Sequence, residues 1–268
     1  MNEFREGVLE GRTAFIAGGT SGINLVIAET YARHGAKVAV MSRSADKVAA
    51  AVERLSAISS PEMARGYSAD VRDFEAVSGA LTAASDEFGP IDIVVSGAAG
   101  NFICPAEKLS ANGFKTVIDI DLVGTFHMLR AAYDVCRRPG ASFINISAPQ
   151  STTTFWGQAH VCAAKAGIDM LTKSLAYEWG PHGVRVNAIV PGPIEGTEGM
   201  ERLAATPAIR AAIENSIALR RYGSKDDVAA MALFLGSDAA SYVTGSIFNC
   251  DGGQTLAGGA ATHPDNLR

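Results

Sequence analysis

Tryptophan and cysteine are scarce in this 268-residue chain, at two and four copies, and charged residues make up only 19%. Cys104, Cys136, Cys162 and Cys250 lie far apart with no CxxC pair, which excludes a disulfide scaffold and a thiol-ligated metal finger. The five histidines show no HExxH spacing, so no metal is expected. No run of Lys and Arg forms a basic stripe and the net charge is -5, which removes the usual basis for nucleic-acid binding. No apolar stretch approaches the roughly 20 residues that span a bilayer. Residues 1–12 are charged and lack the apolar segment of a secretory signal. The expectation is a cytoplasmic globular protein without membrane or nucleic-acid partners. What is abundant is apolar residue, 47% of the chain, enough for the core of one α/β domain over residues 1–268.

Short apolar runs alternate with longer amphipathic ones. Thr13–Ala17, Lys37–Ser42, Ile91–Ser96, Ser142–Ser147 and Arg185–Val190 read as strands, several apolar throughout, as parallel strands covered on both faces must be. Helical segments are expected at Ser21–His34, Ala45–Ala57, Asp73–Phe88, Gly113–Arg137 and Val161–Trp179. Gly35, Gly89 and Gly180 follow three of them as stop signals. This alternation predicts a doubly wound, Rossmann-type parallel sheet with helical crossovers. Residues 195–222 break the rhythm after a late strand, where α/β enzymes build substrate covers, so a small cover is expected there, followed by a helix at Asp226–Leu235. The Gly/Ala-rich tail Ala257–Arg268 is expected to be mobile at its end.

Gly18-Gly19-Thr20-Ser21-Gly22-Ile23-Asn24 follows the first strand and opens the first helix. Small residues there let backbone N–H groups and a helix N-terminus approach a pyrophosphate. The second strand ends Met41-Ser42-Arg43-Ser44. With no carboxylate at 42–44 to hold a ribose 2′-hydroxyl, and Arg43 available for a 2′-phosphate, the expected cofactor is NADP(H). Asp70-Val71, after the third strand, would hold the adenine edge.

Together with Ala98-Ala99-Gly100, Ala164-Lys165-Ala166, Val186-Asn187, Pro191-Gly192-Pro193 and Asp251-Gly252-Gly253, this loop makes the chain resemble the short-chain dehydrogenase/reductase family over almost its whole length. The resemblance implies a single domain with a seven-stranded parallel sheet. It adds Gly18, Thr20, Ser21, Gly22, Ile23, Ser44, Lys47, Ala98, Lys165, Pro191, Gly192, Ile194 and Thr197 to the cofactor contacts. Two positions depart from the family pattern: Asn24 replaces the third glycine of the loop, and Ser96-Gly97 replaces an Asn pair.

The catalytic set departs further. The family carries Tyr four residues before its Lys and Ser thirteen before that Tyr; counted from Lys165, these places hold Val161 and Ala148. The place of the family Asn holds Asp121, and Gln158 stands where enoyl reductases of the family put their Tyr. Without an acidified phenol, ketone reduction loses its proton donor.

Ala98-Ala-Gly-Asn-Phe102, Phe114-Lys-Thr-Val117, Gln158-Ala-His160, Glu178-Trp-Gly180, Pro191 through Gly199 and Ala240 through Gly245 resemble the 2,4-dienoyl-CoA reductase branch, above all its peroxisomal type. In that branch an Asp and the Lys act with an ordered water, which would place the chemistry on Asp121 and Lys165. The resemblance further implies an acyl-CoA substrate contacted by Arg43, Arg72, Phe102, Ser110, Asn112, His160 and Arg202. It also implies a homotetramer, or a dimer, packed through the apolar helix Val161–Trp179. Two alternatives stay open. One is a family oxidoreductase acting on another acyl-CoA or α,β-unsaturated carbonyl; the other is a cofactor-binding relative whose catalytic site has decayed.

Overall fold

The structure is a computed structural model that describes residues 4–203 and 206–256, except the side chains of residues 202 and 203. The tail 257–268, expected to be mobile, lies outside the described residues.

Seven strands form one all-parallel sheet: β1 (Thr13–Ala17), β2 (Lys37–Ser42), β3 (Ala64–Ser68), β4 (Ile93–Ser96), β5 (Ser142–Ile146), β6 (Arg185–Pro191) and β7 (Ile247–Cys250). Their spatial order is β3-β2-β1-β4-β5-β6-β7. The order reverses between β1 and β4, which opens a crevice beyond their carboxyl ends.

Alternation along each strand feeds two cores. Ala14 and Ile16 of β1 face a layer with α1 (Gly22–Arg33), α2 (Ala45–Ile58) and α9 (Lys225–Gly236), where Ile27, Tyr31, Leu55 and Leu233 are buried. Phe15 and Ala17 face the opposite layer, α3 (Phe74–Phe88), α5 (Gly124–Val135) and α6 (Ala159–Trp179), with Leu81, Met128, Leu129 and Trp179. Both faces being covered is why these strands read as unbroken apolar runs.

Several element ends shift by one or two residues from the sequence expectation, and three places stand out. The run from Ile91 becomes a strand only at Ile93, because the buried carboxylate of Asp92 accepts from Thr13 N (2.8 Å) and pairs with Arg12 and Arg137. The expected helix Gly113–Arg137 is instead α4 (Ala111–Val117), a π-helical turn at Ile118–Val123 and α5. The expected cover becomes α7 (Glu198–Leu203) and α8 (Pro207–Ser216), and α8 buries no residue. Its neck is pinned where Glu195 N donates to Gly223 O and Gly223 N to Pro193 O, both at 2.9 Å. The cover is therefore a flap anchored at β6 and α9.

Candidate active site

A cleft of about 450 Å³ occupies the β1/β4 crevice. Of the residues expected to hold a cofactor, Gly18, Thr20, Ser21, Gly22, Ile23, Arg43, Lys47, Asp70, Val71, Ala98 and Thr197 line it. Pro191, Gly192 and Ile194 instead lead from β6 into the flap, and Ser44 caps α2 by accepting from Lys47 N (3.4 Å). Gly18 has φ +72°, and a Cβ there would come within 3.1 Å of Gly97 O and Ala98 N. Ser21 precedes α1 without capping it, so the hydroxyl and the first-turn N–H groups stay available at the cleft.

The two departures from the family loop are one feature. Asn24 Nδ2 donates to Gly97 O (2.8 Å), and a Cβ on Gly97 would stand 2.3–2.6 Å from the Asn24 amide. Glycine at 97 therefore makes room for asparagine at 24. Asn24 Oδ1 is buried in the cleft wall without a partner, and neither Arg43 nor Lys47 forms an ion pair among the described residues. An uncapped helix end, an orphaned polar atom and two uncommitted cations fit a phosphorylated dinucleotide.

Arg72 is placed differently from the expectation. It pairs with Asp70 Oδ2 at 2.6 Å, and its hydrogen bonds hold the Asp70 carboxyl below the usual range. Its charge is thus committed beside the adenine end of the cleft.

Lys165, expected as a cofactor contact, does not line the cleft; on α6, behind the wall residues Ile120 and Ile146, it meets Asp121, in the π-helical turn. Their Nζ–Oδ2 distance is 3.4 Å and their side chains are 7% and 1% exposed. The wider turn inserts a residue into the helical register and marks the local break that carries Asp121. Gly100 N donates to Asp121 Oδ1 (2.7 Å), and Lys165 Nζ donates to Ile146 O (3.1 Å) at the end of β5. Among the described residues Asp121 Oδ2 has no hydrogen bond and faces only the Lys165 ammonium.

The places of the family phenol and serine are filled otherwise. Val161 is buried against Val117 and Ala164, and Ser147, beside Ala148, gives its hydroxyl to Asp169 (2.6 Å).

A second cavity of about 390 Å³ adjoins the first, sharing Ala99 and the first residues of α7, Glu198 and Gly199. Its other walls are Asn101, Phe102, Ile103 and Gln158. Trp156, exposed, stands beside Gly157, whose carbonyl accepts from Cys104 N (2.8 Å). Phe102 and Ile103, both exposed, give this cavity one apolar wall alongside polar ones.

His160 is fully buried behind Phe102, ring centroids 4.4 Å apart, with no hydrogen bond on either nitrogen. It supports the cavity wall rather than lining it. Ser110 caps α4 through Gly113 N (3.0 Å), and Asn112 lies in that helix's exposed first turn. Arg202 lies on α7, and its side chain is outside the described residues.

The residues missed in the sequence are Asn101 and the polar role of Gln158. Gln150 Nε2 donates to Gln158 Oε1 (2.8 Å), and Gln158 Nε2 donates to Asn101 Oδ1 (3.1 Å). Asn101 stood in a quoted string next to Phe102, yet an exposed loop asparagine carries no signal by itself.

A parallel sheet with its cleft at the strand-order switch, and a buried lysine pinned to the carbonyl of the wall residue Ile146, marks a nicotinamide-dinucleotide oxidoreductase. The chain belongs to the short-chain dehydrogenase/reductase family, and residues 17–255 match the family described as Enoyl-(Acyl carrier protein) reductase. It is 44% identical over 253 residues to a Danio rerio protein named peroxisomal 2,4-dienoyl-CoA reductase, (3E)-enoyl-CoA-producing, covering 93% of this chain and 83% of the relative. An Arabidopsis thaliana protein of the same name is 41% identical over 268 residues, covering 95% and 88%. Among solved structures, a short chain dehydrogenase from Bacillus anthracis superposes with a TM-score of 0.84 at 37% identity, covering 92% of this chain and 97% of the other.

Proposed function

We propose that the protein reduces 2,4-dienoyl-CoA thioesters to 3-enoyl-CoA with NADPH, an auxiliary step in the oxidation of unsaturated fatty acids. The observation that carries this reading is the buried Asp121–Lys165 pair behind the cleft wall, with Val161 in place of the family phenol and the Ser147 hydroxyl committed to Asp169. Arg43 and Lys47 would hold the 2′-phosphate of a cofactor in the larger cleft, and that cofactor would supply the hydride for the far end of the diene.

The thioester spreads the resulting negative charge over a dienolate, so the protein need not protonate a carbonyl oxygen with a strong acid. It must deliver a proton to Cα. Lys165 lowers the pKa of an adjacent water, and Asp121 orients that water through the oxygen left free when Gly100 holds the other. Lys165 would also hold the nicotinamide ribose. In the wall of the second cavity Asn101 Nδ2 has no partner among the described residues, which makes it our candidate donor to the thioester oxygen. The exposed side chains of Phe102 and Ile103 in the wall of that cavity suit an acyl chain entering from the surface.

The assay is NADPH oxidation with trans,trans-2,4-hexadienoyl-CoA, alongside acetoacetyl-CoA and crotonyl-CoA, with NMR of the product. Turnover on the diene alone, giving the 3-enoyl thioester, is expected. Turnover on acetoacetyl-CoA instead would refute the reading, and NADPH binding without turnover would favour a decayed site. We also propose a homotetramer, because Met170 (62% exposed) and Tyr177 (89%) on α6 and Phe126 on α5 leave apolar surface uncovered in the single chain. Sedimentation would measure it. A cytoplasmic location is part of the same proposal; four unpaired cysteines suit a reducing compartment.

A further inference from the structure

Asn101 is held by a single side-chain tether. Its Oδ1 accepts from Gln158, and its Nδ2 has no partner among the described residues. An amide in that position can present either its N–H or its carbonyl oxygen to the cavity, and the two choices are opposite in sign for an oxygen gaining negative charge. Whatever fixes the amide's orientation therefore decides whether the residue helps or hinders.

The fixing element is the chain of amides behind it. Gln158 is 2% exposed and sits at the N-cap of α6, yet its side chain does not cap the helix. Both ends of its amide are committed elsewhere: Oε1 accepts from Gln150 Nε2 (2.8 Å) and Nε2 donates to Asn101 Oδ1 (3.1 Å). Gln150 lies in the turn Pro149–Ser151 that follows β5, and its own Oε1 is buried without a partner. Its donation is what fills Gln158 Oε1 and turns Gln158 Nε2 toward the cavity. Reversing the chain would leave Asn101 Oδ1 facing the substrate oxygen.

We propose that Gln158 and Gln150 are positioning residues that lock Asn101 with its N–H toward the thioester oxygen. The inference rests on the dienoyl-thioester reading above and adds to it a polarity device outside the Asp121–Lys165 pair.

Gln158→Glu tests the polarity directly. As a carboxylate, residue 158 can only accept, so it draws Asn101 Nδ2 to itself and turns Asn101 Oδ1 outward. Once protonated, the same side chain accepts from Gln150 and donates its O–H to Asn101 Oδ1, restoring the wild-type sense. With 2,4-hexadienoyl-CoA and NADPH, kcat of the variant relative to wild type should fall about 100-fold at alkaline pH, with KM little changed. The ratio should recover on acidification. Isotope-edited infrared spectra of the thioester carbonyl, bound with oxidised NADP, should show the band lowered in wild type and shifted back in the variant at alkaline pH. A variant that matches wild type in kcat and carbonyl band at every pH overturns the proposal while leaving the reaction intact. A deficit that does not change with pH also overturns it, because lost packing has no reason to respond to protonation of residue 158.

Gln150→Leu, which removes the lock without touching the cavity, should lower kcat several-fold, with a drop of a few degrees in melting temperature from the buried Gln158 Oε1 left without its donor. If Gln158→Glu does not fold, wild-type kcat in Gln150→Leu overturns the inference. Wild-type protein that neither binds nor reduces the diene fails the functional reading first, and this shows before any variant is made.

Discussion

Replacing Asp121 by Asn separates the two things its carboxylate does. The substitution is isosteric, and the new Oδ1 can still accept the Gly100 N–H held at 2.7 Å, so the loop after β4 keeps its anchor. What disappears is the negative charge 3.4 Å from Lys165 Nζ. At that separation and an effective dielectric near 20, the attraction is about 5 kcal/mol before desolvation is counted. Both side chains are almost wholly buried, and stripping one partner from such a pair leaves an uncompensated charge, at about 3–5 kcal/mol. Urea unfolding at fixed protein concentration should register that loss as a lower midpoint with an unchanged slope. Adding Lys165→Met should return most of the stability, since no buried charge then remains. Activity should behave oppositely. Asp121→Asn lowers kcat about 100-fold by removing the group that orients the proton-donating water, and the double variant recovers none of it. NADPH affinity should hold in Asp121→Asn and drop when Lys165 is changed. Asp121→Asn with kcat within about twofold of wild type would refute the assigned chemistry.

Arg43→Leu should raise the KM for NADPH at least about tenfold, the worth of one charge-assisted hydrogen bond, and leave the KM for NADH unchanged; equal effects on both would remove Arg43 from the 2′-phosphate site. Gly97→Ala forces a Cβ into the Asn24 amide and should cost about 1–3 kcal/mol together with NADPH affinity. Adding Asn24→Gly should restore the melting temperature, and failure to do so would break the link between the two positions. In α9, the side chain of Ser224 and the carboxylate of Asp227 form a reciprocal cap, and the backbone N–H of Ser224 leads the contacts that hold the Asp227 carboxyl below its usual range. Its stabilisation is therefore complete above the ordinary carboxylate pKa, near 4, and lost as pH falls through the lowered value. The gap in urea midpoint between wild type and Asp227→Asn should be full at neutral pH and close in acid; a gap independent of pH would contradict the cap.

The inner strands were legible because both of their faces are buried. β1 and β2 end where their apolar runs end, at Ala17 and Ser42. The two strands not located from residues, β3 and β7, are the sheet edges. In β3 only Ala64 is buried, and every residue of β7 is at least partly exposed, so neither has reason to be a continuous apolar run. The π-helical turn at Ile118–Val123 escaped for a different reason. An apolar stripe over 25 residues reads as one helix, and a single inserted residue shifts its phase too little to be seen.

The sequence by itself determined the class of fold, the place of the cofactor loop, the cation Arg43 at the second strand's end and the absence of the family phenol at Val161. These are local properties: a glycine cluster, a charge, or a residue type at a fixed spacing from Lys165. Only the tertiary structure decided that Asn24 and Gly97, 73 residues apart, are one fitted contact. It likewise decided that Arg72 is held by Asp70, that His160 stands behind Phe102, and that Gln158 reaches Asn101 across 57 residues. Direction and partner of a polar side chain depend on which backbones the sheet and its two helical layers bring within hydrogen-bond range. That distance is set by the packed fold, and no spacing along the chain encodes it.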